Sequence, residues 1–263
     1  MEIIRAKTGG FNVFEKLDNR AILEYTITTK SDLHVGGHST IEPAEVDNPV
    51  IKNSEGYPII PGSSLKGILR TETERLLRGL GVEVCDIFDR SSRGGCNKCS
   101  VCQLFGGKDL ASSIRIKDST ALQKKTFIRD SVAIDRQKRK ARDGGKFDLE
   151  VVPKGTLFSG KLVIENTGLK EYEYSKLGAI LSLFDFFNSC SGSIGHATSR
   201  GFGEVEIDIK SFNVISAEDY FNGKYDGTRY QKGEPEYEEL KKQAVSDWAS
   251  YVNSSKSDKN AEQ

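Results

Sequence analysis

The first regular element that the side-chain pattern predicts is a β-strand over residues 21–29. Leu23, Tyr25 and Ile27 alternate there with polar side chains, and a period of two is typical of a strand with one buried face. Residues 1–20 show no such period, so we expect a weakly ordered lead-in before the strand.

A hairpin and an amphipathic helix are predicted next. Short apolar runs on either side of a turn-forming Asn-Ser-Glu-Gly predict the hairpin between residues 49 and 60. Apolar side chains three and four residues apart predict the helix from about Ser63 to Arg78. Ser63 or Ser64 is expected to be its N-cap, and Gly79 to help end it.

The order of the remaining elements predicts the class of fold. A second amphipathic helix is expected from about Ser175 to Asn188. Further strands are expected at residues 114–117, 147–152, 157–165 and 204–212. The chain is thus predicted to be an α+β protein with a ferredoxin-like core, because strands and helices alternate in the β-α-β-β-α-β order of that fold.

The predicted core is interrupted by two long insertions and followed by an extension. We expect one domain over residues 1–212, with insertions at 82–108 and 118–147. Residues 213–263 form a C-terminal extension, whose polar end from about Asn253 is predicted to be disordered.

Charge and composition change this picture only locally. The 263 residues contain 38 lysines and arginines and 38 aspartates and glutamates, so net charge indicates no partner. Residues 124–146, however, hold nine basic and three acidic side chains, a distribution typical of a nucleic-acid-binding face. With no apolar run near the roughly 20 residues that span a bilayer and no signal peptide, we expect a cytoplasmic protein without membrane association.

Four of the five cysteines are clustered with the spacing C-x10-C-x2-C-x2-C. They are Cys85, Cys96, Cys99 and Cys102. In a reducing compartment this cluster favours a metal over disulfides, and four thiolates suit a structural, tetrahedral Zn²⁺. An iron–sulfur cluster is the alternative, although the C-x3-C-P continuation of ferredoxins is absent here.

The start of the first predicted helix has the features of a phosphate-binding site. A Pro-Gly turn is followed by Ser63 and Ser64, and Lys66 and Arg70 share one helix face. Free backbone N–H groups at a helix N-terminus, with hydroxyls and cations beside them, attract anions. The alternative is an ordinary solvated helix face.

Four sequence elements occur in a diagnostic order. They are L-H-V-G-G at 33–37, D-N-P-V-I-K at 47–52, I-P-G-S-S-L-K-G-I-L-R at 60–70 and a glycine-rich segment at 195–203. Together they resemble the RAMP superfamily of CRISPR-associated proteins, and in particular the backbone subunit of type III effector complexes. The resemblance implies an RNA-recognition core whose copies stack along a guide RNA (crRNA). It also implies a thumb-like hairpin between guide and target, which we assign to the basic insertion 118–147.

The resemblance also implies a catalytic residue. In family members that cut, a loop aspartate cleaves the target RNA at regular intervals, and Asp47 matches that position. Its carboxylate would hold Mg²⁺ or Mn²⁺ near the scissile phosphate. The alternative is a turn-forming aspartate ahead of Asn48-Pro49.

Ten residues are candidates for contact with RNA. They are His34, Lys52, Ser63, Ser64, Lys66, Arg70, Arg129, Arg136, Arg139 and Arg200. The basic side chains could neutralise phosphates, which would make binding steeply salt-dependent. For His34 the alternatives are acid–base chemistry or a hydrogen bond to the backbone.

The expected function is therefore that of a guide-RNA-binding backbone subunit in an antiviral type III CRISPR ribonucleoprotein, cutting target RNA through Asp47. Expected partners are guide RNA, target RNA, copies or paralogues of this chain, and the other subunits. Two alternatives remain open: a non-catalytic RNA-binding subunit of the same complex, and a stand-alone RAMP endoribonuclease that processes precursor guide RNA.

Overall fold

The computed structural model describes residues 16–37, 46–88 and 94–260. Most of the predicted lead-in, eight residues of the loop before Asp47 that include His38, and part of the cysteine segment lie outside these ranges. The strands are β1 Asn19–Thr29, β2 Ile59–Ile60, β3 Ile114–Ile116, β4 Ser119–Ala121, β5 Phe127–Asp135, β6 Lys140–Val151, β7 Leu157–Glu165, β8 Val205–Ser216 and β9 Thr228–Gln231. The helices are α1 Gly62–Gly79, α2 Ser100–Phe105, α3 Ser175–Ser189, α4 Ala217–Phe221 and α5 Pro235–Asn260, with a 3₁₀ turn at Thr198–Arg200.

The main sheet is antiparallel and is built around β1. Its strands lie in the order β2-β4-β7-β1-β8-β9, and β3 also pairs with β7. Leu23, Tyr25 and Ile27 of β1 are almost completely buried, as the predicted alternation requires. The core lies between this sheet face and the helices α1, α3 and α5. Among the described residues, no helix is long and apolar enough to cross a membrane.

The structure corrects the prediction for the start of α1. The helix begins at Gly62 with Pro61 as N-cap, and neither Ser63 nor Ser64 makes a side-chain cap. Asp118, which precedes β4, accepts a hydrogen bond from the Gly62 N–H (2.8 Å) instead. A Cβ atom at Gly62 would lie 2.1 Å from the Ile116 carbonyl oxygen, so only glycine permits this close approach.

The C-terminal extension is helical where the sequence predicts disorder. Helix α5 continues to Asn260, whereas a disordered tail was predicted from about Asn253. Tyr251 and Val252 are buried in the same core as the sheet, and the Tyr174 N–H donates to the Asp247 carboxylate (2.9 Å). Burial of its apolar side chains therefore holds this polar helix on the domain.

Strands β5 and β6 form a separate two-stranded antiparallel sheet. The strand predicted at 147–152 is present as the second half of β6, but it belongs to this hairpin and not to the main sheet. Much of this hairpin is exposed, including the apolar side chains of Phe127 and Ile128 near its base and of Val132 and Ile134 farther out. The basic insertion is thus an antiparallel arm whose base packs against the loops around Asp47.

Candidate nucleic-acid interface and metal centre

Asp47 lies at the base of the β5–β6 hairpin. Its side chain is exposed, and its Oδ2 accepts a hydrogen bond from the Asp148 N–H of β6 (2.9 Å). The next residue is fixed by backbone bonds in both directions, from the Asn48 N–H to the Asp148 carbonyl and from the Glu150 N–H to the Asn48 carbonyl. The candidate catalytic carboxylate is therefore anchored on one oxygen and open to solvent.

Two further carboxylates accompany Asp47. Asp130 and Asp148 are directly opposite each other on β5 and β6. Desolvation and the neighbouring carboxylates of Asp130 and Asp47 raise the pKa of Asp148. This excess of negative charge favours a cation in front of the hairpin base, although the cysteines are the one group of potential metal ligands that converges among the described residues.

A buried glutamate holds this region together. Glu150 accepts hydrogen bonds from the Val50 N–H (3.0 Å), Thr126 Oγ1 (2.7 Å) and Lys52 Nζ (2.5 Å). Burial alone raises the pKa of Glu150, but the bonds from Lys52, Thr126 and Val50 outweigh it and lower the pKa below its usual range. Glu150 carries no local sequence signal, because only the folded chain brings its partners together.

The same network determines where His34 and Lys52 lie. His34 is buried, with Nδ1 2.7 Å from the Glu150 carbonyl oxygen. Lys52 forms an ion pair with Glu150, and its side chain remains exposed. Both side chains thus bind Glu150, whose network supports the segment that carries Asp47. The backbone hydrogen bond considered for His34 is present.

Lys66 and Arg70 of α1 have different surroundings. Lys66 is half-buried. Burial lowers its pKa, and the positive charge of the nearby Arg70 lowers it further. In contrast, Arg70 donates to Glu74 Oε1 (3.0 Å) and to the Gly106 carbonyl oxygen (3.0 Å). Ser63 is exposed and Ser64 half-buried in the first turn, so the serines and Lys66 form the accessible part of this surface.

The remaining candidates line the hairpin and its base. Arg129 lies over the Phe202 ring, 4.6 Å from the ring centroid, and 3.4 Å from Asp32. Arg136 and Arg139 are exposed in the β5–β6 turn region. Arg200 is exposed in the 3₁₀ turn preceding Gly201 and Phe202. Arg129 and Arg200 are therefore on the same side as the hairpin base, while the other two are far out on the arm.

The four clustered cysteines converge on one point. The Sγ atoms of Cys85, Cys96, Cys99 and Cys102 all lie within 4.8 Å of one another. Backbone N–H groups of Lys98 and Cys99 point at Cys96 Sγ, at 3.5 Å and 3.2 Å. Burial raises the pKa of Cys96, but these N–H groups and the neighbouring thiols lower it to about 7.

This geometry fits a tetrahedral metal ion. The loop around Cys96 is tight because Gly94, Gly95 and Asn97 adopt positive φ. Its N–H groups stabilise thiolates, the form that binds metal. The fifth cysteine, Cys190, is exposed and lies outside this group.

Comparison with known proteins identifies the family. The model of the RAMP superfamily matches residues 26–206, and the chain belongs to this superfamily, which confirms the predicted resemblance. It is similar to the CRISPR system Cms endoribonuclease Csm3 of Methanocaldococcus jannaschii, with 28% identity over 228 residues, 79% of this chain and 86% of that protein. A protein of the same name from Methanothermobacter thermautotrophicus is 36% identical over 97 residues, 35% of each chain.

Proposed function

We propose that this chain is a guide-RNA-binding backbone subunit of a type III CRISPR ribonucleoprotein and that it cleaves target RNA through Asp47. The observation that carries the proposal is the position of Asp47, exposed at the base of a projecting hairpin that bears basic residues. The similarity to two proteins named Csm3 endoribonuclease supports the same conclusion.

The topology supports a ferredoxin-like core as the RNA-binding platform. Within the sheet, β3, β7, β1 and β8 are neighbours in that order, and α1 and α3 connect them in the β-α-β-β-α-β sequence. Along the chain, the β5–β6 hairpin is inserted between β3 and β7, the second and third strands of this core. We assign it as the thumb, with its exposed apolar residues available to splayed bases.

Cleavage requires the attacking 2′-hydroxyl to be aligned with the phosphate and the developing charge to be neutralised. Asp47 is the residue that we assign to this site, with Asp148 holding one of its oxygens through a backbone N–H. A bound Mg²⁺ or Mn²⁺ would supply charge neutralisation, and such ions are commonly held by one or two carboxylates together with substrate phosphates and water. The Glu150 network beneath keeps the Asp47 segment against the thumb.

The cysteine centre is assigned a structural role with Zn²⁺. Four thiols converge, which leaves no open coordination position for catalysis. The proposed partners are guide RNA, complementary target RNA, copies or paralogues of this chain, and other type III subunits, in the cytoplasm. If the complex binds guide RNA but does not cut, the non-catalytic alternative is the correct one.

Lys66→Ala tests the RNA-binding surface of α1. No other described side chain pairs with Lys66, so its charge is available to a phosphate. Loss of one charge-assisted contact should weaken guide-RNA binding about tenfold and lower the slope of log K against log salt by about one. Filter binding at several salt concentrations measures both quantities.

The matched control is Lys242→Ala, since Lys242 is an exposed lysine of α5. It should bind guide RNA like the wild type. Equal salt slopes for Lys66→Ala and wild type would show that Lys66 contacts no phosphate.

A further inference from the structure

Two arginines of α1 hold both ends of the cysteine loop. Arg70 Nη1 donates to the carbonyl oxygen of Gly106 (3.0 Å), the residue after α2. Arg78 Nη2 lies 3.4 Å from the carbonyl oxygen of Cys85. Helix α1 therefore binds both Cys85, the first ligand of the proposed metal centre, and Gly106, the residue that follows α2.

Glu74 joins these arginines into one unit, the Arg70–Glu74–Arg78 ladder. Its carboxylate is 3.0 Å from Arg70 Nε and 3.5 Å from Arg78 Nη2. The side chains of Arg70 and Glu74 are only 16% and 15% exposed, and Arg70 Nη2 is buried without a partner among the described residues. A cation in such surroundings needs its carboxylate, because an unpaired buried charge is strongly unfavourable.

The ladder contacts residues that are close in sequence to the cysteines. The short helix α2, Ser100–Phe105, carries Cys102 and begins directly after Cys99. Gly106 follows α2 directly, and its N–H donates to the Cys102 carbonyl oxygen (2.8 Å), so Gly106 is held to the end of the helix that carries Cys102. A shift of Cys99 or Cys102 therefore changes the position of the carbonyl that Arg70 binds.

We propose that the Arg70–Glu74–Arg78 ladder is a positioning device that couples metal occupancy at the four cysteines to the RNA-facing end of α1. Arg70 is then a positioning residue and not a phosphate ligand. The inference rests on the proposed metal centre and RNA-binding helix. Since coupling between two binding sites is reciprocal, metal loss weakens RNA binding and RNA binding strengthens metal retention, without any contact between metal and RNA.

The test uses the purified full chain and its variants Arg70→Gln, Arg78→Gln and Arg75→Gln. Arg75 is the matched control, because it lies on α1 but pairs with Glu72 outside the ladder. Zn²⁺ affinity is measured by competition with a chromophoric chelator. Loss of either ladder arginine should lower Zn²⁺ affinity about tenfold, as is common for residues that support metal ligands, whereas Arg75→Gln should not.

The decisive measurement is RNA binding with and without Zn²⁺, using a fluorescent single-stranded RNA. Zn²⁺ removal should weaken binding about five- to tenfold in the wild type and in Arg75→Gln. Arg70→Gln should bind weakly in both states, because the coupling is already broken. Circular dichroism checks folding, and Arg78, whose side chain is 45% exposed, provides the milder variant.

These measurements distinguish failure of the metal assignment from failure of the coupling. A wild-type chain that binds no metal would overturn the metal assignment and the coupling together. Normal metal binding by the wild type and by both ladder variants would overturn the coupling alone. An equal loss of RNA affinity on Arg70→Gln in the presence and absence of Zn²⁺, with unchanged Zn²⁺ affinity, would show that Arg70 contacts RNA directly.

Discussion

Asp47→Ala should reduce target-RNA cleavage by at least about a hundredfold in a reconstituted ribonucleoprotein, a typical effect of removing a group that acts on the reacting atoms. Guide-RNA binding should be unchanged, because Asp47 lies at the hairpin base, where its carboxylate accepts a hydrogen bond from β6, whereas the proposed guide-binding residues Ser63, Ser64 and Lys66 lie on α1. Cleavage of a labelled target at saturating Mg²⁺, followed on denaturing gels, measures the rate and the spacing of the cuts.

Asp143→Ala is the control for this prediction, because Asp143 is an exposed aspartate farther out on the same hairpin. It should cut at the wild-type rate. If regularly spaced cuts persist at full rate with Asp47→Ala, the catalytic assignment is wrong. Cutting of repeat RNA by the isolated chain in EDTA would instead favour the precursor-processing alternative.

Cys102→Ser should release the metal and destabilise the domain. Cys102 is completely buried beside the other three thiols, and metal binding contributes directly to folding where ligands replace a core. We expect a loss of about 3 kcal/mol or more, which lowers Tm by roughly 6–12 °C in a domain of this size. Elemental analysis and thermal unfolding measure the two effects.

Cys190→Ser is the matched control, since Cys190 is exposed and outside the cluster. Its metal content and Tm should equal those of the wild type. Wild-type protein that contains iron, or that contains no metal, would contradict the zinc assignment. An unchanged Tm after metal loss would contradict the structural role.

Elements whose signal is local could be predicted from the sequence. The alternation of Leu23, Tyr25 and Ile27 is sufficient for β1, because each side chain's burial follows from its position in the pleat. The apolar stripe predicted α1 to within a few residues. The four cysteines were found by spacing alone, and their thiols do converge.

Features that depend on distant partners could not be predicted. The N-cap expectation for Ser63 and Ser64 was wrong because Asp118, from another part of the chain, supplies the acceptor. Glu150 reaches residues about a hundred positions away, and Arg70 meets a carbonyl beyond the cysteine loop. A basic side chain on a helix therefore predicts charge, but its partner is determined by tertiary packing.

The most direct test of the central claim is to purify this protein from its native host and sequence the RNA bound to it. We expect discrete short RNAs of CRISPR guide sequence, recovered together with other RAMP subunits. Protein that carries no RNA, or RNA of random length and sequence, would contradict its assignment as a guide-RNA-binding backbone subunit.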